Sequence, residues 1–214
     1  MPHRARILIA EDHNLLAELC KRLLETEFHV IGMVGNGRAL VRAAEELKPH
    51  VIVLDIAMPL LNGLDAGEQV KKASPAIKLL FLTVNSDPEM AAEAFRRGGS
   101  GYLLKTCACS ELLAAVRQVL SGMTYMSRRL PKDTVNYLRR RGKKMVEKEA
   151  RLTGRQREVL QLLAEGKQMK EVGDILCMTT RTAAFHKYRI MDALGARTTA
   201  ELVRYAVRNN IIAA

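Results

Sequence analysis

The chain predicts two folds in succession: an α/β domain on a doubly wound parallel sheet, then a smaller all-α domain of four helices. Three observations carry this. Five short apolar runs alternate with helix-period stretches through the first 120 residues, whereas residues 151–214 hold four helical patterns and no strand. Charge divides along the chain as well. Residues 1–120 carry 14 basic against 14 acidic groups and residues 121–214 carry 20 against 9, so the net charge of +11 lies in the second half. Strands alternating with helices build parallel sheets with right-handed crossovers. A basic second half faces a polyanion, nucleic acid ahead of an anionic membrane surface, although charge alone does not separate these from a solvated face.

Composition narrows the classes further. Apolar residues make up 48% of 214, spread periodically rather than in blocks, which suits folded domains and not a disordered chain. No apolar run approaches the ~20 residues of a membrane span. Met1 leads directly into the first strand with no export signal. Cysteines at 20, 107, 109 and 177 lack disulfide or zinc spacing, which points to a reducing cytoplasm. The Cys107-x-Cys109 pair offers two ligands, too few for a metal site, and is expected to be structural.

The strands are expected at Arg6–Ala10, His29–Val34, Val51–Asp55, Lys78–Thr83 and Gly101–Leu104. Val51-Ile52-Val53-Leu54 reads as a strand buried on both faces. Helices are expected near 13–26, 38–47, 64–73, 88–97 and 109–121. In the first of these, Leu15, Leu16, Leu19, Leu23 and Leu24 are assigned to one apolar face.

What the strands leave at their carboxyl ends is chemically coherent. Glu11 and Asp12 follow the first, Asp55 ends the third, Thr83 ends the fourth and Lys105 follows the fifth. A lone aspartate after a strand is more often a turn residue or helix cap. Three carboxylates gathered at one sheet edge are different, because a pair ~5 Å apart at an effective dielectric of ~20 repels by roughly 3 kcal/mol. A divalent cation relieves that repulsion, and Mg²⁺ takes a few carboxylates together with water and phosphate oxygens. The set suits phosphoryl transfer, with Asp55 as nucleophile and Lys105 neutralising phosphoryl oxygens.

Glu11-Asp12, the segment DIAMPLLNG (55–63), Thr83 and GYLLK (101–105) resemble the receiver domain of two-component response regulators over about the first 120 residues. The resemblance implies that Asp55 accepts a phosphoryl group from a histidine kinase. It also implies that Asp12, Asp55 and the carbonyl of Ala57 bind Mg²⁺ with help from Glu11, and that Thr83 and Tyr102 form a switch pair. Thr106 departs from the proline that many receivers carry after the lysine, which leaves the isomer of the 105–106 peptide open.

Residues 122–150 break the alternating rhythm and read as a basic, partly helical linker. Pro131 opens a short helix through Arg140, and the charged run RRRGKKMVEKEA (139–150) follows. Beyond it, helices are expected at 154–165, 168–176, 180–194 and 199–209. Thr153 is the expected N-cap of the first, and Gly166 and Gly195 stand at C-terminal cap positions. The pair joined by Cys177-Met178-Thr179 suits a helix-turn-helix. Ala183, Ile190, Met191 and Leu194 give the third helix a packing side. Its other side carries Thr180, Arg181, Ala184, Phe185, Lys187 and Tyr188, an unusual place for a phenylalanine unless it meets a partner. Thr179 leaves backbone N–H groups at that helix start, where a phosphate fits.

LTGRQREVLQLLAEGKQMKEVGDIL and MTTRTAAFHKYRIMDALGARTTAELV resemble the LuxR-type DNA-binding domain, and its pairing with a receiver is that of the NarL/FixJ response regulators. The resemblance implies phosphate contacts from Lys170, Thr179, Arg181, Lys187 and Arg197, and base reading from Ala184, Phe185 and Tyr188. Ala184 stands where the family often has lysine, and Gln156 where it often has glutamate. The expected domains are 1–121, the linker 122–150 and 151–214. The expected protein is a cytoplasmic, phosphorylation-dependent transcriptional regulator, not an enzyme, that dimerises when phosphorylated and reads double-stranded DNA at an inverted repeat. An aspartyl-phosphate phosphatase would need a second aspartate where Ala57 stands. A receiver-linked RNA-binding antiterminator would lack the helix-turn-helix, and a phosphorylation-independent regulator would not need Asp12, Asp55, Thr83 and Lys105 together.

Overall fold

The structure, a computed structural model, describes residues 4–131 and 152–212. Strands β1 (Arg6–Ala10), β2 (His29–Val34), β3 (Val51–Asp55), β4 (Lys78–Thr83), β5 (Gly101–Leu104) and β6 (Tyr125–Met126) form one sheet in the order β2-β1-β3-β4-β5-β6. Every pairing is parallel. The first five keep the bounds expected from their apolar runs. Helices α1 (Asn14–Glu25), α2 (Gly37–Leu47), α3 (Gly63–Ala73), α4 (Pro88–Arg96) and α5 (Ala108–Leu120) alternate with them. The core runs through the sheet, with Ile7, Leu8, Ile52, Leu54, Leu79, Leu80, Phe81 and Tyr102 fully buried. Each such aliphatic side chain stabilises the fold by about 1.5–3 kcal/mol relative to leaving it exposed.

Two local expectations change. The buried face of α1 is Ala17, Cys20 and Leu24, with Leu16 and Leu23 at its margins, while Leu15 is 86% exposed and Leu19 also faces outward. At 100° per residue Leu15 lies nearly opposite Ala17, so an abundance of leucines concealed which stripe faces the sheet. The second change is β6. Its two residues carry no period that a sequence reading can detect, yet Tyr125 N–H donates to Ser100 O at 3.1 Å and Ser127 N–H to Tyr102 O at 2.9 Å. The carboxylate of Glu111 accepts from the Tyr125 hydroxyl at 2.7 Å and from Ser127 Oγ at 2.9 Å, which holds its pKa down despite burial. Residues 125–130 therefore pack back on the sheet instead of leaving it. The helix expected from Pro131 to Arg140 and the charged run 139–150 lie outside the described residues, apart from Pro131 itself.

The all-α domain contains α6 (Gly154–Ala164), α7 (Met169–Leu176), α8 (Thr180–Leu194) and α9 (Thr199–Arg208) around Val159, Leu160, Leu162, Val172, Ala183, Ile190, Leu202 and Ala206. Thr153 caps α6 as expected. Gln156 completes a capping box, its Oε1 accepting from Thr153 N–H at 2.7 Å, so the exchange from glutamate keeps the local function. Cys177 ends α7 in the left-handed region, and Thr179 opens α8 by accepting from Thr182 N–H at 3.1 Å.

The two domains meet along α6. Arg38 pairs with Glu158 at 2.9 Å, and Gln69 donates to Glu158 at 3.0 Å. Arg157 and Arg97 both clasp Asp65, at 2.8 and 2.5 Å. Burial works against the Asp65 carboxylate, but the two guanidinium groups outweigh it and hold its pKa below the usual aspartate value. Its contribution is therefore present above that usual value and is lost as pH falls through the lower, folded-state value.

Gly63 lies so close to the strand end that an added Cβ would sit 1.9 Å from Asp55 O. Gly63→Ala should therefore lower unfolding free energy by at least ~2 kcal/mol in a denaturant titration, and an unchanged midpoint would refute the close approach. Asp65→Ala removes the carboxylate that Arg97 and Arg157 share, leaving Arg97 its pair with Glu93 and both arginines the more distant Glu68, and should destabilise by about 1–3 kcal/mol. Asp65→Asn should flatten the acid limb of a stability–pH profile, and an identical acid limb would show that Asp65 does not carry it.

Candidate functional site

Neighbours β1 and β3 run to either side of the point where strand order reverses, the crevice in which α/β sheets receive ligands. Their carboxyl ends deliver Glu11, Asp12 and Asp55. Asp55 is buried, 3% exposed, and its Oδ2 accepts from Lys105 Nζ at 2.8 Å. The same ammonium donates to Glu11 Oε1 at 3.0 Å. Lys105 opens a short 3₁₀ turn, Lys105–Cys107, and the 105–106 peptide is trans. Thr83 is buried at the end of β4 and its Oγ1 accepts from Asn85 N–H at 3.1 Å. The Tyr102 ring is turned inward, fully buried, with its hydroxyl donating to Asn85 O at 2.8 Å. Ala57 is exposed, two residues into the loop after Asp55. Six residues singled out in the sequence are thus gathered at the carboxyl edge of the sheet, with Ala57 beside them.

The electrostatics follow from burial. Desolvation raises the Glu11 pKa, with Asp55 adding to it and Lys105 opposing it. Burial also pulls the Lys105 ammonium down, but its hydrogen bonds to Asp55 and Glu11 outweigh that and keep it charged. Burial pushes the Tyr102 hydroxyl above its ordinary value, so it stays a donor. Glu11 Oε2 lies 2.9 Å from Lys105 Nζ, an ion pair whose geometry leaves this buried oxygen with no aligned hydrogen bond. Oxygens of Glu11 and Asp12 and a ring nitrogen of His13 lie within 4.8 Å of one another. A buried oxygen with unused acceptor capacity beside further carboxylates fits a hard divalent cation such as Mg²⁺. His13, whose Nδ1 is 3.1 Å from Asp12 Oδ1, was legible in the Glu-Asp-His triplet but not singled out from it.

The second candidate surface is the outer side of α8 and its surroundings. Phe185 is 60% and Tyr188 68% exposed, Arg181 is exposed, and Ala184 and Lys187 are partly covered. Lys170 at the start of α7, Thr179 at the α8 cap and Arg197 after α8 are exposed as well. The His186 ring stands edge-on to Phe185 with centroids 6.0 Å apart. Among the described residues Glu11-Asp12-His13 is the one group able to hold a metal, and His186 is not part of it. All four cysteines are free: Cys20 and Cys107 are buried, Cys109 and Cys177 exposed.

A third set of residues was missed by sequence reasoning. Glu158, Gln161 and Glu165 recur on one side of α6 and its C-terminal cap, where spacing alone suggests a solvated stripe, yet Glu158 and Gln161 are buried against the first domain. Polarity gave no signal for burial here, because the covering surface is polar too.

Comparison with known proteins agrees with this geometry. Residues 7–117 match the response regulator receiver domain, and residues 150–206 match the bacterial regulatory proteins of the luxR family. The chain is 30% identical over 211 residues to the transcriptional regulatory protein MctR of Rhizobium johnstonii, covering 98% of this chain and 96% of MctR. A two-component response regulator of the LuxR family from Aurantimonas sp. SI85-9A1 superposes with a TM-score of 0.60 at 26% identity, covering 63% of this chain and 97% of that one. A structure of two RcsB dimers bound to two parallel DNAs superposes with a TM-score of 0.56 at 25% identity, covering 95% and 98%. No described helix is long and apolar enough to cross a membrane. With a receiver domain followed by a LuxR-type domain, the chain belongs to the two-component response regulators and is a DNA-binding transcriptional regulator.

Proposed function

We propose that Asp55 accepts a phosphoryl group from a sensor histidine kinase, and that the phosphorylated chain binds promoter DNA as a homodimer through α8. The observation that carries the first half is the Lys105 ammonium shared between buried Asp55 and Glu11. An Asp55 oxygen attacks phosphorus as the donor's N–P bond breaks, so the acyl phosphate forms at the sheet edge. Lys105 then turns from the carboxylates to the phosphoryl oxygens. Asp12, Asp55 and the carbonyl of Ala57, with Glu11, hold Mg²⁺, which supplies charge neutralisation when bound. Thr83 donates its hydroxyl to the phosphoryl group, and the inward Tyr102 ring packs behind it. Phosphorylation thereby shifts a population of states rather than pushing on one.

At α8, Ala184, Phe185 and Tyr188 face base edges, while Lys170, Thr179, Arg181, Lys187 and Arg197 meet phosphates. The DNA-bound RcsB dimers described above support both the partner and the stoichiometry. Ala184 cannot hydrogen-bond a base, so discrimination falls to its two aromatic neighbours.

Three outcomes test the proposal. Acetyl phosphate with Mg²⁺ should add one phosphoryl group to the chain and none to Asp55→Asn; undiminished labelling of the variant would remove Asp55 from its role. Lys187→Ala and Arg197→Ala should each weaken specific and random duplexes alike and flatten the log–log salt slope by roughly one unit. Phe185→Ala and Tyr188→Ala should instead lose ~1–3 kcal/mol on the specific duplex and little on a scrambled one. Equal losses on both duplexes in competition binding would reassign the two aromatics to packing or phosphate contact.

A further inference from the structure

We propose that the DNA-binding domain positions the phosphorylation loop, with Gln161 of α6 and Glu165 at its C-terminal cap as the positioning residues. This rests on the reading of Asp55 as phosphoacceptor. The loop from Ile56 to Asn62 holds itself through two short bonds, Leu61 N–H to Pro59 O at 2.8 Å and Gly63 N–H to Ile56 O at 2.8 Å. Three further backbone groups are bonded by side chains of the other domain. Gln161 Nε2 donates to Met58 O at 3.0 Å, Leu60 N–H donates to Glu165 Oε1 at 3.0 Å, and Asn62 N–H donates to Gln161 Oε1 at 2.7 Å. Leu60 takes a left-handed backbone, φ 65°, which a leucine adopts only when its surroundings hold it there, and its side chain packs on the core of the DNA-binding domain.

The orientation of the Gln161 amide is fixed by its partners. Its oxygen faces an N–H donor, and its nitrogen faces Met58 O and, at 2.8 Å, Glu165 Oε1. A carboxylate here would repel both oxygens and a hydrocarbon would leave buried backbone groups unpaired, so the site calls for an amide. Gln161 itself is 1% exposed. Ala57, whose carbonyl is the proposed metal ligand, is the residue immediately before the one that Gln161 grips. Fixing Met58 therefore fixes the peptide that must face the cation, and a preorganised ligand loses less freedom on binding. Because the contact uses α6, the outer face of α8 stays open, as the exposure of Phe185 and Tyr188 shows. The joint can therefore persist while DNA is read. By linkage, an occupant that prefers the fixed loop tightens the joint by the same factor that the joint tightens the occupant.

The test uses the full chain and compares wild type with Gln161→Met, which keeps volume and removes both backbone bonds to the loop along with the bond to Glu165, with Glu165→Ala, and with Glu165→Gln, which keeps an acceptor oxygen. Calorimetric Mg²⁺ titration and hydrogen exchange at the Leu60 and Asn62 amides are read without any phosphoryl donor. Gln161→Met should speed exchange at Asn62, Glu165→Ala should speed it at Leu60, and each should weaken Mg²⁺ by about fivefold or more. Glu165→Gln should stay within twofold of wild type. With acetyl phosphate, the half-saturating Mg²⁺ concentration of Gln161→Met should rise while its rate at saturating Mg²⁺ is kept. A merely structural glue would instead alter melting and leave Mg²⁺ affinity alone. Wild-type Mg²⁺ affinity in both Gln161→Met and Glu165→Ala overturns the inference, as does absence of Mg²⁺ uptake by the wild type. Should Gln161→Met fail to fold, Glu165→Ala alone decides it. Absence of wild-type labelling at Asp55 would count against the phosphoacceptor reading instead, a result separate from the titration.

Discussion

Two buried carboxylates share one ammonium, and most of the first domain is arranged to make that tolerable. Asp55 and Glu11 come from adjacent strands that cannot separate without breaking the β1–β3 pairing, in which Ala10 lies opposite Leu54. Lys105 must reach them from beyond β5, so β4 and β5 have to keep their register for the charge balance to hold. Removing a lysine from such a site leaves negative charge in a medium that screens it poorly, while adding a phosphoryl group overloads the same cation. The proposed phosphoryl group would thus compete with both carboxylates for a cation that is already shared.

Much of this was legible in the sequence, for identifiable reasons. Val51–Leu54 and Leu79–Leu82 are buried on both faces, so hydrophobicity alone marked them. Caps announce themselves through side chains with fixed tasks, as Thr153 and Thr179 do. The strand-end residues were recognisable because Glu11, Asp12, Asp55, Thr83 and Lys105 have little reason to recur at successive strand ends other than shared chemistry. What sequence could not show depends on contacts far along the chain. Leu15 and Leu19 look like core because leucine usually is, yet the face that meets the sheet is set by Ala17 and Cys20, small enough for close approach. Gln161 and Asn62 stand 99 positions apart, and nothing local to either marks the other as its partner.

The joint along α6 also bears on how the halves cohere. Its named contacts are mostly hydrogen bonds and ion pairs, with Leu60 the apolar residue that crosses into the second core. Polar interfaces of this kind recover much of their hydrogen bonding from water when they part, which keeps the free-energy difference between joined and parted forms small. A small difference is what a regulatory equilibrium needs, since a modest ligand preference then moves a large share of the population.

The two-residue strand Tyr125–Met126 has a consequence for behaviour in concentrated solution. Without it, β5 would present a row of unpaired N–H and C=O groups along its outer side, a template on which another chain's strand could dock. With it, the sheet ends in a stub too short to nucleate growth, anchored by the Tyr125 and Ser127 hydroxyls on Glu111. At the opposite rim, the register shift between Ile7 and Leu8 interrupts the regular ladder beside β2. The β6 margin thus carries a device that discourages edge-to-edge aggregation, and the β2 margin carries an irregular ladder on its inner side.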